Sequence, residues 1–92
     1  MYASGEYELS YNGKTIAMSC YNKSKIVRFY KKGVFYELDF LSYVAALKLN
    51  GDYIDVGQNV GNHSIFFASC TEADKVVGFE AMRELFDMCK KI

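Results

Sequence analysis

Asp55, Gly57, Asn59 and Gly61 stand in the run Asp55-Val56-Gly57-Gln58-Asn59-Val60-Gly61, and Glu80 closes the later run Val76-Val77-Gly78-Phe79-Glu80. A short apolar strand meets a glycine-rich turn and then a helix, and a second apolar strand ends on an acid about twenty residues on. Gly57 permits a sharp departure from the strand and close approach of backbone to a ligand. Gly61 allows tight contact where the helix begins, and the unpaired N–H groups of its first turn suit an electronegative ligand group. Glu80 can accept hydrogen bonds from both hydroxyls of a ribose. Singly, the glycines also read as turn residues and Glu80 as an exposed strand end. Their joint spacing points to a nucleoside ligand.

The departures from known phosphate loops narrow the chemistry. Position 59 is Asn where the dinucleotide fingerprint has its second glycine, and Gly61 is not followed by the Lys-Ser/Thr pair of a P-loop. An adenosine-bearing ligand that needs no phosphate cradle therefore fits better than a dinucleotide. Asp55 is placed to orient the loop or, through water, to receive the amino group of a methionyl moiety.

These residues need strands and helices to position them. Tyr7, Leu9 and Tyr11 alternate with Glu6, Glu8 and Ser10, and Asn12-Gly13 supplies a type I′ hairpin turn that returns through Thr15 to Cys20. Ile26–Tyr30 and Val34–Leu38 read as a second strand pair joined through Lys31-Lys32-Gly33. Asp39 can cap a helix from about Phe40 to Leu49, with Phe40, Tyr43, Val44, Ala46 and Leu47 inward and Asn50-Gly51 as its stop. Tyr53–Val56, a helix from Asn62 to Cys70 and Lys75–Phe79 then form a strand, crossover helix and parallel strand. From Met82 the pattern is helical, with Leu85, Phe86, Met88 and Cys89 apolar and Arg83, Glu84, Asp87, Lys90 and Lys91 facing water. The boundaries are a β-meander over 1–38 and a ligand-binding unit over 39–92.

Composition excludes several classes. Apolar residues make up 51% of the 92, too many for a disordered chain. Eleven basic and eleven acidic side chains cancel without a basic stripe, so charge does not suggest nucleic acid. No apolar stretch is long enough for a membrane span, and the first ten residues carry no Lys or Arg for a signal peptide. Cys20, Cys70 and Cys89 show no paired spacing and read as reduced, mostly buried thiols of a cytoplasmic protein, without a metal role.

Residues Gly51 to Ser64, together with Phe66-Phe67-Ala68 and Lys75 to Glu80, closely resemble the N-terminal part of FkbM-family methyltransferases. The family has S-adenosylmethionine-dependent enzymes of the Rossmann-like class I fold. The chain departs from the family pattern at Gln58, commonly Ala, and at Ala81, commonly Pro. The resemblance implies an α/β chain: an incomplete class I methyltransferase fold preceded by a small antiparallel β-meander. It implies that Gly57, Asn59 and Gly61 line the methionine side of S-adenosylmethionine, with Asn62 and His63 opening the helix beneath it. Glu80 is then the ribose ligand, Ala81 a contact to adenine, and Glu37 an acid of the pre-loop segment that approaches the cofactor. The implied reaction is methyl transfer, chiefly to oxygen, on a small molecule or glycan; neither the acceptor nor a catalytic base is identified. Later strands of the family fold are missing, so the reading is of an N-terminal fragment with weak or absent activity alone.

Blander readings compete at each position. Glu37 also reads as a rim charge, and His63, the only histidine, as a helix-start packing residue. Phe66-Phe67 reads as core covering the sheet, and Tyr30, Tyr36 and Tyr43 as core as readily as a shared pocket. A second functional reading is a noncatalytic module that completes its sheet as a homo-oligomer.

Overall fold

A computed structural model describes residues 3–89. Lys90 and Lys91, expected on a solvated helix face, lie outside the described residues. The chain is a small α/β domain with one antiparallel and one parallel two-stranded sheet. In order, it forms β1 (Ser4–Tyr11), β2 (Lys14–Tyr21), α1 (Val27–Tyr30), α2 (Leu38–Ala46), β3 (Asp52–Val56), α3 (Asn62–Cys70), β4 (Lys75–Phe79) and α4 (Arg83–Cys89). Among the described residues no helix is long and apolar enough to cross a membrane.

The hairpin follows its turn chemistry. Tyr11 pairs with Lys14 across Asn12-Gly13, whose φ angles of 48° and 80° are the positive pair of a type I′ turn. Alternation then carries Leu9 and Met18 inward.

The expected second strand pair is absent. Ile26 to Tyr30 turns as a helix, and 34–37 forms neither strand nor helix. Ser24 Oγ accepts the Ile26 N–H at 3.1 Å and so starts the turn. Ile26, Val27 and Tyr30 are buried while Arg28 is exposed, a helical spacing that a strand would have to break. The antiparallel part is thus a hairpin and not a meander. The segment that follows docks on β1 through Ser10 N–H to Gly33 O, 2.9 Å.

α2 differs in both start and face. Glu37, left-handed at φ 59°, is its N-cap, and Asp39 sits in the first turn, where its charge suits the helix dipole. The inward stripe is Leu38, Leu41 and Ala45. Phe40, Tyr43 and Leu47, expected inside, are 52%, 66% and 47% exposed. Two apolar stripes run along this helix, and periodicity alone cannot choose between them. The helix ends at Ala46, before Asn50-Gly51, with Lys48 left-handed at φ 53°.

β3 and β4 pair in parallel from Asp52↔Lys75 to Val56↔Phe79. Gly51 and Asp74 hold the entry, through Asp74 N–H to Gly51 O and Gly51 N–H to Asp74 Oδ2. One face of the pair lies under α3, where Tyr53 meets the Phe67 ring at 5.2 Å. The opposite face presents Ile54, Val56, Val77 and Phe79 to solvent.

One core joins all of this. Leu9 and Met18 of the hairpin cluster with Tyr30, Phe35, Leu41, Val60, Phe66, Leu85 and Met88. Phe66 is at its centre, edge-on to Tyr11 at 4.8 Å and to Phe35 at 5.3 Å. Phe66→Ala therefore costs about 3–5 kcal/mol, read by urea denaturation. Tyr43→Ala changes stability by no more than about 0.5 kcal/mol, an outcome that an inward Tyr43 would reverse.

Candidate functional site

The glycine loop leaves β3 and crosses immediately to the end of β4. Gly57 N–H and Gln58 N–H both donate to Phe79 O, at 2.8 and 3.0 Å. Gly57, Asn59 and Gly61 all have positive φ, 78°, 57° and 92°. Asn59 holds a left-handed backbone without being glycine, since Asn tolerates this region better than most side chains. A Cβ built at Gly57 meets nothing within 4 Å, so the turn borders open space on that side.

Glu80 ties the loop to the second strand. Its Oε1 accepts the Asn59 N–H at 2.7 Å, and its Oε2 accepts the Met82 N–H at 3.0 Å. One carboxylate thus fixes the middle of the loop and the lead into α4. Each oxygen has taken one donor, and a carboxylate has about four acceptor positions in all. Capacity remains for two ligand hydroxyls. Ala81 follows and is exposed.

Asp55 and Gln58 turn the other way, toward α3. Ser64 Oγ donates to Asp55 Oδ2 at 2.7 Å and lies 3.2 Å from Gln58 Oε1. The Gln58 side chain lies against Gly78 so closely that a Cβ there would fall 1.9 Å from its Oε1. A glycine inside a strand signals such an approach. Through Ser64, Asp55 is tied to the first turn of α3.

Asn62 is also turned inward. It is buried; its Oδ1 accepts from Tyr30 OH and Tyr36 N–H, both 3.0 Å, and its Nδ2 donates to Tyr36 O at 2.8 Å. Burial pushes the Tyr30 phenol well above its ordinary pKa, with Cys20 and Cys89 adding to it, so the phenol stays a donor. Beside Asn62, His63 Nε2 meets Glu37 Oε1 at 2.9 Å, an ion pair when the imidazole is protonated. Glu37 and His63 are thus brought together at the start of α2 and α3. Among the described residues, no group of three His, Cys, Asp or Glu side chains is placed to hold a metal ion.

Comparison with protein-family models, curated proteins and solved structures finds no match.

Cys89 belongs to this site although its sequence context gave no sign of it. Its Sγ donates to Asn59 O at 3.0 Å and so holds α4 against the loop. Burial, then the charges of Glu80 and Asp55, push the thiol up to about 11 from an ordinary 9.0. The folded state keeps this proton where the unfolded chain releases it. The thiol's contribution to stability is intact below about pH 9 and is lost as pH rises toward about 11. Alkylation of Cys89 by iodoacetamide, followed by peptide mass mapping, is expected to run about a hundredfold slower at pH 8.5 than that of a free thiol. Glu80→Gln should lower the pH of half-maximal rate.

Proposed function

We propose that this chain is the cofactor-binding half of an S-adenosylmethionine-dependent methyltransferase acting on an oxygen of a small molecule or glycan. The observation that carries the reading is the Asn59 N–H to Glu80 Oε1 bond, 2.7 Å, which locks a glycine loop and an acidic strand end together at one end of a parallel pair. The residue set fits the cofactor. Glu80 has acceptor capacity for the ribose hydroxyls, Gly57 borders open space, and α3 begins at Gly61 without a side-chain cap. When bound, the cofactor would supply an electrophilic methyl group for transfer to an acceptor oxygen, with Glu80 and the Gly57–Gly61 backbone as the groups that would hold it.

On this reading the chain's own residues divide their work. Glu80 holds the ribose, the Gly57–Gly61 backbone faces the methionine portion, and Ala81 lies beside the adenine. Asn62 is a positioning residue, since its amide is spent on Tyr30 and Tyr36, and Ser64 holds one oxygen of Asp55. His63 and Glu37 hold the two helix starts together at the loop.

Calorimetric titration of the full chain with S-adenosylmethionine and S-adenosylhomocysteine tests the assignment. Both should bind, and Glu80→Gln should weaken each about tenfold or more, the worth of charge-assisted hydrogen bonds. Absence of heat from protein that circular dichroism shows to be folded would sink the reading.

The uncovered sheet face favours a second one, a self-associating module. Ile54 and Val56 are 67% and 79% exposed beside Val77 and Phe79, and parallel sheets are ordinarily covered on both faces. Sedimentation equilibrium should then show concentration-dependent dimers of the parent chain that Val56→Lys dissociates. A monomer at every concentration rejects this module.

A further inference from the structure

A cavity of about 310 Å3 opens beside the glycine loop, bounded by Tyr21, Lys23, Ser24, Lys25, Tyr36 and Asn59. Two other cavities among the described residues, about 380 and 450 Å3, have neither Glu80 nor any residue of the Gly57–Gly61 loop in their walls. The smaller one shares Asn59 with the loop, and Asn59 is the residue whose N–H binds Glu80. A ligand there would sit next to anything the loop holds, which is what transfer between two bound molecules requires.

The walls define its chemistry. Lys23 and Lys25 bring two ammonium groups, no acidic side chain lines the cavity, and neither lysine has an ion-pair partner among the described residues. The Ser24 hydroxyl accepts the Ile26 N–H. Tyr21 and Tyr36 supply aromatic wall, and Tyr36 is held edge-on to Phe29 at 5.2 Å. Two lysines without ion-pair partners among the described residues make the cavity suit an anion, in a space at the small end of ligand pockets.

We propose that this cavity binds a small anion, carrying a carboxylate or a phosphate, and that on the methyltransferase reading the same molecule carries the hydroxyl that is methylated, which makes it the methyl acceptor. The identification as acceptor rests on that reading; the anion site does not.

Amide chemical shifts of the full chain are followed during titration, at constant ionic strength, with inorganic phosphate, acetate, glucose 6-phosphate and glucuronate. Saturable shifts confined to residues 23–26, Tyr36 and Asn59 are expected. The phosphate and acetate arms decide which anionic group the lysines take, and on the acceptor assignment the hydroxylated ligand of that class should bind more tightly than the bare ion. Lys23→Gln with Lys25→Gln should weaken binding about tenfold or more, and both side chains are exposed, so folding is retained. Lys14→Gln with Lys48→Gln, at another cavity, should leave it unchanged. Uniform, non-saturating shifts at all lysines, or equal binding by the Lys23/Lys25 variant, would overturn the site. S-adenosylhomocysteine should bind together with the anion; displacement of one by the other would overturn the acceptor assignment. An S-adenosylhomocysteine titration with no binding sinks the methyltransferase reading and the acceptor assignment with it, while the anion site stands on its own titration.

Discussion

The buried carboxamide of Asn62 joins the N-terminal and C-terminal parts of this chain. It sits at the first position of α3, yet all three of its hydrogen bonds reach back to Tyr30 and Tyr36. A buried amide left unpaired costs about 1–3 kcal/mol for each orphaned group, so the start of α3 can lie only where the Tyr36 backbone and the Tyr30 hydroxyl meet it. The apolar contacts of Phe66 add most of the cohesion, but they have no direction. Asn62 supplies the direction. The glycine loop ends at Gly61, immediately before it, and its path is therefore fixed at both ends: by Phe79 O where it leaves β3, and by Asn62 where it enters α3.

Between those anchors the loop stays open by alternating left-handed residues. Gly57, Asn59 and Gly61 each reverse the chain, and each reversal has a partner nearby: Phe79 O for the first, Glu80 for the second, and Gln58 O for the third, through the Gly61 N–H. Glu80 therefore stabilises the loop and keeps acceptor positions to spare. That spare capacity makes the acid informative. A carboxylate kept only as a loop anchor could sit fully enclosed, whereas Glu80 is half-buried at the crevice edge.

Legibility from sequence followed the locality of the cause. The hairpin at Asn12-Gly13, the bounds of α3 and β4, and the loop itself rest on turn chemistry and short apolar runs, and these are local. Ile26–Tyr30 was read as a strand because Ile, Val, Phe and Tyr favour strands, but Ser24 begins a turn and burial of both Val27 and Tyr30 requires one. In α2 the competing stripes of Leu41 and of Tyr43 have equal apolar character, and only the tertiary position of Phe66 and Phe35 decides which turns inward. The site divided in the same way. The adjacency of Glu80 and the loop was legible from spacing, whereas the inward turn of Asp55 and Asn62, and the reach of Cys89 to Asn59 O, depend on partners 9 to 32 residues away. Gly78 was the one local sign of Gln58 folding inward.

The same two strands that carry the loop leave Ile54, Val56, Val77 and Phe79 in water, and this asymmetry bears on the site. α3 presses on one face of the pair and fixes Asp55 and Gly78; nothing described presses on the other. A two-stranded sheet held from one side keeps its twist by the loop bonds at one end and the Gly51–Asp74 bonds at the other. Val56 and Phe79, paired at the loop end, are the last residues before Gly57 and Glu80. Any protein surface that covered this face would bury those two side chains first in line with the crevice, and would stiffen the strand ends from which the loop and Glu80 project. Covering the sheet and ordering the site are thus one physical event, because the apolar face and the polar end belong to the same two strands.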